Sequence, residues 1–535
     1  MTSTPRCFDN SAQPVLDRLD GPLAGLPVES YTAASVREID RLAIAAGTPG
    51  GVLMKRAARA ALATLTSRWP EATTLAVYCG AGNNGGDGYW LATLAAERGM
   101  TVQLIAIGDT GKLSGDARLA YELACGAGLQ VLTINDELPS RADVVVDAML
   151  GTGLNGAPRD TYQRAIVQIN RSTCPVLALD IPSGLCSDTG RMLGSQAVVA
   201  DATVTFIAMK CGLLTGDARA CVGQLVFADL AIVPASYAHL ESRAELATLS
   251  RWHGHLPRRR RTAYKNQCGH LLIIGGDTGM SGAPLLAAMA ALRCGAGLVS
   301  VATHREHVGA IVCRQPDVMA HGVSSNAELA PLLRRATAIV IGPGLGQSSW
   351  AKQMLLAVRD CPVPRLLDAD ALNLVAAEPQ LRPRGDWSMT PHPGEAGRLL
   401  ERYAADVGGD RFGEATALLT LCGGAVVLKG AGSVVASANQ SASTSTLAVC
   451  PYGNPGMATA GMGDVLSGVI GSLLAQGLAA GDAALLGTLL HSASADCEAA
   501  MHGEHGLVAS DLPTALRRLL SALSGLNSAV DDSDA

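Results

Sequence analysis

YGNPGMATAGMGDVLSGVIGSLL, residues 452–474, is a glycine-punctuated stretch that runs without a break into an apolar helical pattern, with one acid, Asp464, at the junction. Gly461 and Gly463 let the backbone turn and bring N–H groups close to a ligand, while the helix that follows aims its positive dipole end at the same point. Such a place suits a phosphate. A helix cap would also account for an acid at a helix start, and an isolated Gly-x-Gly-Asp favours that reading. The residues around it change the balance.

Upstream, strands recur that end in ligand-friendly residues. His270 to Ile274 enters Gly275 to Ala283 and a long alanine-rich helix. Ala338 to Ile341 leads to Gly342-Pro343-Gly344-Leu345-Gly346, Arg365 to Leu367 to Asp368-Ala369-Asp370, and Trp387 to Met389 to Thr390-Pro391-His392-Pro393-Gly394-Glu395. Ala425 to Leu428 then delivers Lys429-Gly430-Ala431-Gly432-Ser433 before the chain reaches residue 452. Taken singly, Asp368 and Asp370 read as loop and helix-start structure, His392 as a turn filler and Lys429 as a surface charge.

The first half repeats the layout with a different sequence. Helical periodicity starts at Thr32, and a buried strand, Thr74 to Cys79, is followed by the loop Gly80 to Gly88 and another helix. Strand, glycine loop and helix form a phosphate cradle, and Asn83, Asn84 and Asp87 add side-chain oxygens to its backbone N–H groups. An Asx-rich turn with φ > 0 is the alternative for that loop, and the added side-chain oxygens weigh against it. Val144 to Val146 runs into Asp147 and then Gly151 to Ala157, and Val176 to Leu179 runs into Asp180-Ile181-Pro182-Ser183-Gly184. Loops after parallel strands meet at one edge of a doubly wound sheet, so these three converge on one ligand.

At 535 residues the chain exceeds what one core serves, and alternating apolar runs, glycine turns and helical stretches predict two α/β domains. A net charge of −6 argues against nucleic acid as the main partner, and the basic run Arg258 to Arg261 reads as a solvated linker face. The fourteen cysteines form no C-x-x-C pair, which suggests neither zinc nor a disulfide framework and points to a reducing cytoplasm. The most apolar long window, Val465 to Leu490, holds Gln476 and Asp482, and the N-terminus lacks a signal pattern, so no membrane span is expected. Residues 1 to about 30 read as a loose extension. Ala235 to Lys265, with a helical piece near Ser242 to Leu249, reads as the linker, and the acidic tail from Asp531 carries no motif.

The motifs CGAGNNGGDG (79–88), DAMLGTGL (147–154) and DIPSGL (180–185) resemble the signature segments of the NAD(P)HX epimerase domain, which is Rossmann-like and repairs hydrated nicotinamide cofactors. That resemblance implies a domain over residues 31–240. It implies that Asn83, Asn84, Gly85, Gly86, Asp87, Gly151, Thr152, Gly153, Leu154, Asn155, Gly156, Ala157, Tyr162 and Asp180 hold substrate. It also implies that Asn84, Asp147 and Ser183 ligate a potassium ion, and oxygen-only ligands suit such a hard cation. Asp180 is the expected acid/base.

GPGLG, DADALN, TPHPGEAGRLL, LKGAG and NPGMATAGMGD, in this order, resemble the ADP-dependent NAD(P)HX dehydratase of the ribokinase-like superfamily, implying a second domain over residues 255–525. By that resemblance Lys429, Gly430, Ala431, Gly432, Ser433 and Gly463 contact the nucleotide. Ala283, Gly344, Gly346, His392 and Asp464 contact the hydrated cofactor, with Asp464 as catalytic base and magnesium on the phosphates. Ala460 departs mildly from the pattern, at a position expected to hold glycine or serine. Both halves in one chain resemble the bifunctional NAD(P)H-hydrate repair enzymes: substrates would be hydrated NADH and NADPH with ADP, and a homo-oligomer is expected. Two other readings stay open, a small-molecule kinase on the same ribokinase-like fold and a first domain that only binds.

Overall fold

The structure, a computed structural model, describes residues 13–134, 142–233, 237–403, 408–438 and 445–531. It divides into two compact units, Pro22–Leu246 and Ala247–Ala535 together with Met1–Gly21.

The first unit is a parallel sheet of β1 (Thr74–Cys79), β2 (Thr101–Ala106), β3 (Val131–Thr133), β4 (Val144–Ala148), β5 (Val176–Leu179), β6 (Ala202–Phe206) and β7 (Gln224–Ala228). Their spatial order is β3-β2-β1-β4-β5-β6-β7, reversing direction beside β1, where ligands gather in doubly wound sheets. Alternation along β1 explains the two covered faces: Leu75, Val77 and Cys79 join one core, Ala76 and Tyr78 the other.

Two local expectations change here. The glycine loop is shorter than its composition suggests, because the helix after β1, Asn83–Glu97, already includes the Asn-Asn-Gly-Gly-Asp run. Near residue 245 the chain is a strand, Ala244–Leu246, pairing antiparallel with Glu29–Tyr31; its side chains alternate in burial, which a two-faced pairing rewards and a helix would not.

The second unit has β8 (His270–Ile274), β9 (Leu298–Thr303), β10 (Met319–Gly322), β11 (Ala338–Ile341), β12 (Arg365–Leu367), β13 (Trp387–Met389) and β14 (Gly423–Leu428) in parallel, in the order β10-β9-β8-β11-β12-β13-β14. β15 (Val434–Ala438) and β16 (Ser445–Val449) continue it antiparallel.

The residues read as a loose extension contain a helix, Gln13–Asp20, that buries Val15, Leu16 and Leu19. The Tyr452 hydroxyl donates to Asp20 and accepts the Leu249 N–H at 2.7 Å, so this helix is tied to the start of the 452–474 stretch. Residues 1–12 and the acidic tail beyond Asp531 lie outside the described residues. Every cysteine among the described residues is free, and no helix among them is long and apolar enough to cross a membrane.

Candidate active sites

In the first unit the C-terminal ends of β1, β4, β5 and β6 open onto a cleft of about 520 Å³. Asp180, at the end of β5, holds a left-handed φ of 67°, a conformation that costs a non-glycine residue roughly 1–3 kcal/mol. Its Oδ1 pairs with Lys210 Nζ at 2.5 Å, and its Oδ2 accepts the Thr152 N–H at 3.0 Å. Lys210 is 1% exposed and also donates to Thr205 Oγ1 (3.0 Å) and the Phe206 carbonyl (2.8 Å), so its three protons are used. Gly151 leaves room for this arrangement: a Cβ there would stand 2.8 Å from Asp180 Oδ2.

Asp87 lines the same cleft and makes no hydrogen bond or ion pair with the described residues. Burial lifts its carboxyl well above the usual range; Asp180 and Asp40 push the same way and Lys210 opposes them. Asn84 is buried with both amide atoms unpartnered among the described residues. Asp147, expected in a loop, lies inside β4 and is fully buried. Its Oδ1 accepts from the Ser183 hydroxyl (2.6 Å) and the Met149 N–H (3.2 Å), and its Oδ2 from the Ser183 N–H (2.8 Å). Burial raises it to about 6 against those hydrogen bonds. The Tyr162 hydroxyl accepts the Ala81 N–H at 3.2 Å.

Asn83, Asn84, Asp87, Gly151, Thr152, Gly153, Leu154, Tyr162 and Asp180 thus share one cleft. Gly85 and Gly86 instead pack inward, against the Gly80 carbonyl and against Met54 and Ala117, while Asn155, Gly156 and Ala157 are exposed and outside the lining.

In the second unit Gly461 (φ 90°) caps the helix Met462–Ala475 without a side-chain bond, so the acid at the junction is not the cap. Asp464 is the third residue of that helix and accepts no hydrogen bond from the described residues. Burial raises it to about 7, with Asp368, Asp370 and Glu395 adding and Lys429 opposing. Lys429 Nζ reaches Asp368 Oδ1 at 2.8 Å and Glu395 Oε2 at 3.8 Å, and Ser467 Oγ donates to Asp368 Oδ2 at 2.8 Å. Burial works against the lysine's charge, but Asp368, Glu395 and Asp464 outweigh it and its pKa is raised. A Cβ on Gly463 would meet that Nζ at 3.2 Å, so glycine lets the ammonium approach the turn. His491, on the helix Ala480–His502, is buried with Nε2 unpartnered, and burial lowers it to about 4, leaving it neutral.

Around this centre Gly346 donates its N–H to Asp370 Oδ2 at 2.9 Å, and Gly344 (φ 55°) lies against Ala283. His392 donates its backbone N–H to Glu395 Oε2 at 2.8 Å and accepts the Gly394 N–H at 3.0 Å, its ring half exposed. Gly430 faces the Arg411 guanidinium, which donates to the Leu428 and Lys429 carbonyls, and Ser433 Oγ donates to the Gly430 carbonyl at 3.1 Å. Ala431 is exposed and Gly432 buried. Among the described residues no three His, Cys, Asp or Glu side chains group to hold a metal ion.

Residues 271–518 match the family model for NAD(P)H-hydrate dehydratase, and residues 50–212 the one for the YjeF-related protein N-terminus. A bifunctional NAD(P)H-hydrate repair enzyme of Coxiella burnetii is 45% identical over 491 residues, covering 92% of this chain and 99% of its own. The chain belongs to the bifunctional NAD(P)H-hydrate repair enzyme family. A second repair enzyme, from Escherichia coli, is 44% identical over 471 residues, covering 88% of this chain and 89% of its own. A solved ADP/ATP-dependent NAD(P)H-hydrate dehydratase from Bacillus subtilis, co-crystallised with ATP and Mg²⁺, aligns at 28% identity and a TM-score of 0.45 over 52% of this chain and 98% of its own.

In this member of the repair family, sequence reasoning missed the surroundings of both acids. Lys210 follows an apolar run and carries no motif. Asp368, Glu395, Ser467 and His491 lie far apart in the chain and meet only in the fold. The signal for Asp368 was present in DADALN, where it reads equally well as turn structure.

Proposed function

We propose that the two units divide the family's repair reaction. The Pro22–Leu246 unit epimerises the R and S forms of hydrated NADH and NADPH, and the other unit dehydrates the S form at the expense of ADP, releasing AMP and phosphate. The substrate carries a hydroxyl on the ring carbon next to the ring nitrogen, and hydroxide is a poor leaving group. Phosphoryl transfer onto that hydroxyl makes the leaving group phosphate, and elimination restores the ring double bond.

The observation that carries this reading is Asp464, unpartnered among the described residues and raised to about 7 beside the Gly461 to Gly463 turn. Its ionised form takes the hydroxyl proton as the phosphoryl group arrives, while the turn's N–H groups and the Lys429 ammonium hold the transferring charge. Residues 429–433 with Gly463 hold the nucleotide, and Ala283, Gly344, Gly346 and His392 hold the hydrated cofactor. Magnesium bound to the phosphates would bridge and neutralise them.

In the first unit Asp180 is the acid/base, and Asn83, Asn84, Asp87, Gly151 to Leu154 and Tyr162 hold substrate. The orphaned, buried Asn84 amide oxygen, with Asp147 and Ser183, offers the oxygen-only donor set that fits potassium. That ion would supply a fixed positive charge that orients the substrate phosphate. The whole protein is expected to act as a homo-oligomer, which light scattering after size exclusion reads.

Incubating the protein with S-form hydrated NADH and ADP tests the reading: dihydronicotinamide absorbance recovers as phosphate appears. An accumulating phosphorylated product would make it a kinase. R-form substrate, repaired only through the first unit, would be left untouched if that unit merely binds.

A further inference from the structure

Two carboxyl groups of the first cleft are held in opposite ways. Asp180 receives the Lys210 ammonium on one oxygen and the Thr152 N–H on the other, the environment of an anion. Asp87 forms no ion pair and accepts no hydrogen bond from the described residues, and burial beside Asp180 favours its neutral form over the opposing pull of Lys210. They stand on different elements. Asp87 lies in the first turns of the helix that follows β1, and Asp180 at the end of β5, with β4 between those strands. Both carboxyls line the one cleft of about 520 Å³, which has room for a ring and a water.

We propose that Asp87 is a second catalytic residue of epimerisation, the acid that protonates the departing hydroxyl, with Asp180 as the base that takes a proton from the water adding to the opposite face. This rests on the epimerase reading above. The ring-nitrogen lone pair forms a C=N bond as the carbon–oxygen bond breaks, and the hydroxyl leaves as water carrying the Asp87 proton. A water then adds to that carbon from the Asp180 side, returning the electron pair to nitrogen and its proton to Asp180. Solvent carries the proton back from Asp180 to Asp87, so no co-reactant is consumed. Lys210 is a positioning residue that fixes Asp180 and its charge. Besides Asp180 and Lys210, Asp40 bears on Asp87, with Cys79 on β1 beside it, and Asp116 and Arg37 line the same cleft.

The competing chemistry opens the ring at the carbon–nitrogen bond and recloses it, keeping the original oxygen. The test is R-form hydrated NADH incubated with the full chain in ¹⁸O-water, with an enzyme-free control, scored by mass spectrometry of the S form. One label per epimerisation is expected. Conversion without label overturns the proposal while leaving the epimerase reading intact, whereas no conversion at all overturns that reading. Asp87→Asn keeps size but removes the proton, and an epimerisation rate lower by roughly two orders of magnitude is expected with dehydration of the S form unchanged. A rate within threefold of the parent, in a variant whose Tm is preserved, also overturns the proposal. Lys210→Arg should recover most of the turnover that Lys210→Met loses; equal loss in both would make Lys210 only a packing residue.

Discussion

As the proposed base, Asp464 would tie activity to pH through a single proton. In that proposed role it acts ionised, so the dehydration rate at saturating substrate is expected to rise with pH through about 7, the value to which burial and Asp368 lift this group. Asp464→Asn should lower dehydration by roughly two or more orders of magnitude while epimerisation and nucleotide binding persist. Near-normal turnover would remove Asp464 from the mechanism. Stability moves the opposite way. The folded chain keeps a proton that the unfolded chain gives up, so Asp464 contributes less and less as pH rises from its ordinary value of 3.8 towards 7. The Asn variant should therefore melt above the parent at pH 8 and level with it at pH 3. At the first site Asn84 gives the cleanest test of the cation, because its amide has no bond among the described residues for a substitution to break. Thermal shifts in potassium chloride against tetramethylammonium chloride should show potassium-specific stabilisation in the parent and none in Asn84→Ala. An unchanged shift would put the cation elsewhere.

At the scale of elements, most strands were legible and some helix boundaries were not. Thr74–Cys79, His270–Ile274 and Ala338–Ile341 are short apolar runs ending in glycine, and the fold keeps them with those bounds. The Asn-Asn-Gly-Gly-Asp run looked like a loop because those residues disfavour helix, yet it begins one, since small residues let that helix close on the sheet. At Gly85 an added methyl would overlap the Gly80 carbonyl, whereas at Gly82 it would meet nothing within 4 Å. Gly85→Ala is accordingly expected to cost about 1–3 kcal/mol in urea unfolding, and Gly82→Ala almost nothing. Equal effects would mean the helix does not need that approach. The candidate acids Asp180 and Asp464 stand in motifs, but their surroundings do not. Lys210 meets Asp180, and Lys429 meets Asp368, across stretches of chain that no local pattern connects.

For the whole molecule, the two expected domains do not follow one another simply along the chain. The helix Gln13–Asp20 belongs with Ala247–Ala535, so the first unit is an insertion between two parts of the second. A fragment from Ala247 onward lacks Val15, Leu16 and Leu19, each worth roughly 1.5–3 kcal/mol when buried, and loses Asp20 from Tyr452. We expect it to melt early and to dehydrate poorly, and a peptide of residues 13–21 added in trans to restore both. A fragment indifferent to the peptide would show that the helix is dispensable. The same arrangement sets an order of events on the ribosome. The helix emerges before the inserted unit, yet its partners Leu249 and Tyr452 are made only after the whole of it. At about 5–20 residues per second its apolar face waits through the translation of that unit and most of the second. A nascent chain stalled partway would carry one folded unit and, ahead of it, Val15, Leu16 and Leu19 with their burial partners still unmade.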